Sequence, residues 1–236
     1  MRFCPLASSS RGNAYILEDG ETKLLIECGV SFRKLQKMLK FGVANLSACL
    51  VSHEHTDHSR SCAQLLENGV PVFSSYGTAA ALERGDITIL EDRMPVGVGS
   101  MDVLPFPTFH DAAEPMGFLI RSRIDGDKLV FATDTVNLGY QFPGVTVVAI
   151  ECNYAADILE RSERVPDKVK HRIVNAHMSL DRACFWLKTL DKTSLREVFL
   201  LHLSDACSDQ ARFMREVGNA VGPGVRVTIC PREVLC

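Results

Sequence analysis

Four potential metal ligands, His53, His55, Asp57 and His58, fall within six residues in the string LVSHEHTDHSR. The apolar run CLV at 49–51 stops just before them. In extended backbone, residues i and i+2 project to the same side, so His53 and His55 can share one cation. Asp57 and His58 begin the next turn, ahead of a helix expected at 59–67, and can face a neighbouring cation. Imidazole nitrogen and carboxylate oxygen suit Zn2+ or Mn2+ and need no thiolate. The chain has seven histidines in all, so three within six residues are poorly described as a merely polar loop.

The remaining candidates share a position type. His110 ends VLPFPTFH, His202 ends VFLLH, Asp134 ends LVFATD, and His177 follows IVNA just before an expected helix. Ligands on the ends of strands, converging on one edge of a sheet, are how a rigid metal site is built. His171, in VKHRI, stands apart and reads as a surface residue.

The elements that must position these residues are legible as short aliphatic and β-branched runs. They fall at 14–17, 23–27, 49–52, 72–74, 87–90, 101–104, 117–123, 128–133, 145–151, 198–201 and 225–229. Asp19-Gly20 and Asp125-Gly126 read as hairpin turns. Helices are expected at 31–40, with Ser31 as cap and Gly42 as stop, and at 59–67, 78–84, 155–164, 179–190 and 208–217. The first half reads as rich in antiparallel hairpins and the second as more helical. That mixture predicts sheets covered by outer helices within one domain, 1–236, rather than a regular βαβ alternation.

Composition narrows the class. Of 236 residues, 46% are hydrophobic and 23% charged, which is ordinary globular usage. No apolar run approaches the roughly 18 residues a bilayer span requires, so no membrane partner is expected. The N-terminus MRFCPLASSSRGNA lacks the apolar stretch of a signal peptide, and a cytoplasmic protein is the expectation. Nine scattered cysteines without CxxC spacing read as reduced thiols, several of them core residues. A net charge of −3 speaks against a basic clamp along the whole surface and leaves only local patches for polyanions. The stretch RSERVPDKVKHR is one such patch; it reads as a solvated helix face that Pro166 breaks or restarts.

HEHTDH resembles the HxHxDH motif of the metallo-β-lactamase superfamily, and later segments follow in that family's order: FHDAAEPMGF, LVFATDT and LLHLS. SSSRGNAYIL, HDAAEP, ECNY and the pair AHMS…LHLS resemble its YycJ/WalJ branch, related to RNase Z-type nucleases. The resemblance implies an α/β fold of α+β type, an αβ/βα sandwich of two mixed β-sheets flanked by helices. It implies two divalent ions, one held by His53, His55 and His110, the other by Asp57, His58 and His202, with Asp134 bridging. Where the family carries Asp after the early strand to support these ligands, this chain has Glu27.

Two such ions about 3.5–4 Å apart lower the pKa of bound water from 15.7 towards about 7 and so supply a hydroxide nucleophile. Asp57 is the candidate to orient it, and His177, 25 positions before His202 as in the nuclease pattern, the candidate general acid. A helix-start structural role for His177 is the other reading. Glu151 and Asn153 in ECNYA are candidates to orient the site, and Ser9 and Asn13 in the early polar loop to contact phosphate. The expected function is a phosphodiesterase or nuclease acting on DNA or RNA. A small-molecule hydrolase of a cyclic phosphate, thioester or lactone would use the same metals. A catalytically idle metal-binding regulator is the third reading, against which the intact ligand set argues.

Overall fold

A computed structural model of the protein describes residues 1–233; Cys236, counted among the thiols, lies outside them. The strands form two mixed sheets, of six and seven strands, with helices on them. The chain folds as two compact units. The first comprises Met1–Pro107, Ala112–Asp127 and the segment from Pro231; the second comprises Thr108–Asp111 and Lys128–Cys230.

In the first unit, β1 (Arg2–Ala7), β2 (Ala14–Glu18) and β3 (Lys23–Ile26) run antiparallel in succession. β1 carries Pro5, which argues against a central strand from sequence. As an edge strand it tolerates a residue without an N–H, and its register shifts between Pro5 and Ala7. From β3 onward the pairing becomes parallel, through β4 (Ala48–Leu50), β5 (Val72–Ser74) and β6 (Thr88–Ile89). The hairpin-rich reading of this half therefore holds at its start and again at 96–122, where the strands are antiparallel, but not in the stretch between. Parallel strands need crossovers. These are α1 (Phe32–Met38), the paired helices α2 (Thr56–Ser59) and α3 (Cys62–Glu67), and α4 (Tyr76–Ala81).

Two sequence expectations shift here. Ser31 precedes α1 with extended backbone but no side-chain cap; its carbonyl accepts from the Lys34 and Leu35 amides. The helix expected at 59–67 is broken, because the Ser61 amide donates 2.9 Å to the Cys28 carbonyl rather than continuing a helical ladder. Leu35, Leu65, Leu25, Cys49, Val51 and Val72 belong to the apolar core beneath these helices. The unit is completed by the antiparallel ladder β7 (Val96–Val98), β8 (Met101–Pro107) and β9 (Met116–Ser122).

The second unit is a parallel ladder of β10 (Lys128–Ala132), β11 (Val147–Glu151), β12 (Glu197–Leu201) and β13 (Arg226–Ile229). β10, β11 and β12 are near-continuous apolar runs, as strands covered on both faces must be. Between β11 and β12 lie α5 (Ala156–Arg161), α6 (Asp167–Ala176) and α7 (Leu180–Thr189); α8 (Gln210–Val221) precedes β13. α7 is capped by Ser179 and α8 by Asp209, each accepting from the amide three residues on.

Candidate metal centre

Parallel strands place their C-terminal ends at one edge, so the residues just beyond each strand share a neighbourhood. In the first unit Glu27 comes directly after β3 and His53 soon after β4; in the second, Asp134, Glu151 and His202 close β10, β11 and β12. Glu27, Asp134 and His202 all have left-handed backbone, at φ 64°, 44° and 54°. Non-glycine residues there cost roughly 1–3 kcal/mol each and cluster where surrounding structure enforces a special orientation.

The motif loop is built by close backbone approach. Asn13 donates to the Asp57 carbonyl from its backbone N at 2.8 Å and its Nδ2 at 3.1 Å, and the Cys28 amide donates to the His58 carbonyl. Gly29 lies so near that a Cβ would sit 1.6 Å from the Asp57 oxygen, so no side chain fits. His55 caps α2 with its carbonyl, which accepts from the His58 and Ser59 amides. Here His53 Nε2 faces His55 Nδ1 at 3.1 Å, while His53 Nδ1 bonds the Ser52 hydroxyl at 2.8 Å. Two nitrogens each about 2.0–2.1 Å from one tetrahedral zinc lie about 3.3 Å apart, so this pair fits a shared cation.

His58 is fully buried. Its Nδ1 lies 3.3 Å from Glu27 Oε2, a contact that lacks hydrogen-bond geometry, and its Nε2 lies 3.2 Å from Asn13 Nδ2 and 3.4 Å from Asp57 Oδ2. Glu27 also accepts from the Ser52 amide, so it touches both the β4 loop and α2. Burial raises its carboxyl above the ordinary range despite His58 and Ser52. Ser9 accepts from the Arg11 amide and its own amide donates to Asn13 Oδ1, so both early-loop candidates are tied into the loop. Sequence reasoning passed over Glu54, which lies between two candidate ligands and accepts from the Ala113 amide at 2.8 Å.

In the second unit, Asp134, Glu151, His177 and His202 bring one donor atom each within 4.8 Å of the others. Glu151, buried completely, accepts from the Thr135 and Met178 amides through Oε2, and its Oε1 lies 2.6 Å from His177 Nδ1 and 3.2 Å from His202 Nδ1. His202 Nδ1 is also 3.0 Å from Asp134 Oδ1, which Thr133 holds by its hydroxyl. Asn153 Nδ2 donates to the His202 carbonyl at 2.7 Å and fixes that backbone. His110 donates from Nδ1 to the Ala176 carbonyl, 2.8 Å away, which leaves Nε2 as the acceptor facing Asp134 Oδ2 at 3.5 Å.

These contacts set the protonation states. Burial would lower His202, but Asp134 and Glu151 overcome it and push the ring up to about 10. For His177 burial is again opposed and outweighed, chiefly by Glu151, so its pKa rises. His110 is lowered, since burial dominates there, and stays neutral as a ligand must. Burial raises Glu151, yet His177 and the other donors prevail and hold it below the usual carboxylate value. The His202 ring thus faces two buried carboxylates, Asp134 and Glu151, acidic surroundings that suit a cation. The donor set of imidazoles and carboxylates, without thiolates, fits Zn2+ or Mn2+. The eight described cysteines are free, seven of them buried. His171 is exposed.

Fold and donor set together define a metallo-β-lactamase-type protein. The chain belongs to the β-lactamase superfamily domain family, whose model matches residues 22–203. It is 29% identical over 221 residues to the exodeoxyribonuclease YycJ of Bacillus anthracis, covering 86% of this chain and 83% of that protein. Among solved structures it is similar in fold to the metallo-β-lactamase fold protein YhfI of Bacillus subtilis, with a TM-score of 0.71, 17% identity, and 98% and 97% of the two chains covered. It is likewise similar to Zn2+-bound PqqB of Methylobacterium extorquens, with a TM-score of 0.72, 13% identity and 99% of each chain covered.

Proposed function

We propose that this protein is a binuclear metal-dependent phosphodiesterase, a nuclease acting on DNA or RNA. His53, His55 and His110 would hold one ion, Asp57, His58 and His202 the other, and Asp134 would bridge them. When bound, the ions supply Lewis acidity toward a phosphoryl oxygen and an activated water. Asp57 would be the residue to orient a water there. Ser52 fixes the ring of His53 and Ala176 that of His110, so that each presents one nitrogen, and Glu27 lies beside His58 Nδ1 as an acidic neighbour.

The observation that carries this reading is the 2.6 Å pair of His177 Nδ1 and Glu151 Oε1 beside Asp134 and His202. Glu151 favours the protonated form of His177, and an alkoxide leaving group needs a proton at the moment of departure. A hydrolase of thioesters or lactones has better leaving groups and less use for that acid. The exodeoxyribonuclease name of the bacterial relative supports the same choice. The family match runs through residues of both units, which supports treating 1–236 as one hydrolase domain. A cytoplasmic location is the accompanying expectation. Among the described residues no helix is long and apolar enough to cross a membrane.

A substrate panel tests the reading: bis-p-nitrophenyl phosphate, single- and double-stranded DNA, RNA, thioesters and lactones, each with added Zn2+ or Mn2+ and with chelator. Metal-dependent phosphodiester cleavage is expected. Turnover of thioesters or lactones alone would transfer the same ligand set to the small-molecule reading.

A further inference from the structure

Between Asn153 and His177 the chain leaves the sheet edge for an excursion through α5 and α6 and returns to its starting point. Tyr154 forms a parallel bridge with Ser179, and the Leu180 amide donates to the Tyr154 carbonyl. Both ends of the excursion are therefore pinned beside Glu151 and His177. The stretch between them contributes little to the core. It rests on a small cluster of Tyr154, Leu159 and Cys207, with Val165 and Ile173 packed against it, and most of α6 is exposed. Closed excursions of this kind, anchored next to a site, are where chains carry recognition rather than stability.

Its charge has a sign. Residues 154–176 hold five basic side chains against four acidic ones, a net of +1 in a chain whose total is −3, and all five basic ones fall within 161–172. An open groove of about 490 Å³ lies here, lined by Asp157, Arg161, Ser162, Glu163, Arg164 and Ala206. Ala206 stands four positions after His202, so the groove borders a candidate ligand loop. The acid nearest the groove's arginines is already engaged: Asp157 accepts from Arg161 through Oδ2 at 2.9 Å and from Arg212 through Oδ1 at 2.6 Å. Glu163 is left as the opposing charge. α6 is tied to the segment before it, Lys170 Nζ donating to the Glu160 carbonyl, and to the His110 loop through Arg172 and Asp111.

We propose that the α5–α6 excursion is a binding site for the phosphate backbone of a nucleic acid strand whose end lies at the metal centre, with Arg161 and Arg164 in the groove as its phosphate contacts. The proposal takes its ligand class from the nuclease reading above. It accounts for an acidic chain acting on a polyanion, since contact is confined to one locally basic arm. Such contacts release counterions, so affinity falls with salt at a slope set by the number of phosphates engaged.

The test uses the metal-loaded protein and a fluorescein-labelled single-stranded phosphorothioate DNA, which resists cleavage, in anisotropy titrations from about 50 to 200 mM salt. Wild type should bind with a linear log–log salt dependence. Arg161→Ala with Arg164→Ala should bind roughly tenfold more weakly at the low end, with a slope shallower by about 1.4 for two lost contacts. Arg161→Lys with Arg164→Lys, which keeps the charge, should restore the slope. An unchanged slope in the alanine pair, or a wild type that does not bind, overturns the proposal. Turnover of bis-p-nitrophenyl phosphate by wild type, measured alongside, separates the two claims. Binding with the expected slopes but no metal-dependent turnover would retire the hydrolase and leave the groove. Turnover with unchanged slopes would do the reverse.

Discussion

Glu151 holds two imidazoles and two backbone amides at one buried carboxylate. Removing it leaves the buried Thr135 and Met178 amides without their acceptor and the His202 ring short of one carboxylate, which is the costly way to break a buried ionic network. We expect Glu151→Ala to lower the unfolding free energy by about 3–5 kcal/mol in urea titrations; a loss below about 1 kcal/mol would deny it that role. His177 differs. Its ring is the outer partner of Glu151, so His177→Ala should retain the metal content while kcat on a phosphodiester falls by roughly 10²–10⁴. Loss of metal with activity would make His177 a ligand instead. The HEHTDH cluster was legible because four ligand types crowd six positions. Glu151 was only weakly so, because a lone glutamate at a strand end resembles any structural acid and its imidazole partners stand 26 and 51 positions away.

Elements reach the site by close approach, and two tests belong to that scale. Gly29→Ala would drive a methyl group into the Asp57 carbonyl, so the β3 loop and α2 must part. We expect a destabilisation of about 1–3 kcal/mol or more in urea, together with weakened metal binding. Wild-type stability and metal content would contradict the packing described. Far from the ligands, Asp19 joins three turns of the first unit, accepting from the Thr22 amide and the hydroxyls of Ser100 and Ser122. Burial raises its carboxyl, but these hydrogen bonds prevail and hold it below the ordinary value. Its folded value being the lower one, its stabilisation is present above the unfolded pKa of about 3.9 and fades as pH falls through the folded value. The stability gap between wild type and Asp19→Asn should therefore shrink between about pH 5 and pH 3. A gap constant across that range would remove the carboxylate from the account. Aliphatic runs made most strands readable. β1 was hidden by Pro5, which only an edge position excuses, whereas α6 begins directly after Pro166, as a solvated helix restarted by that proline would.

At the scale of the whole molecule, two mixed sheets with outer helices follow from what the sequence displays: aliphatic runs, turn dipeptides and helices that thicken toward the C-terminus. Strand direction was less legible. The parallel pairing of β3 to β6 runs through the three connections where helices are expected, at 31–40, 59–67 and 78–84, but the short aliphatic runs carry no sign of direction by themselves. Membership of the β-lactamase superfamily domain family agrees with that architecture, while the choice of phosphodiester rests on the site chemistry. Elemental analysis of the purified protein tests the central claim most directly. We expect close to two divalent ions per chain, removed by chelator and restored by Zn2+ or Mn2+. A protein that carries none, and takes up none when offered them, would leave the clustered histidines and carboxylates as structural groups and end the hydrolase account.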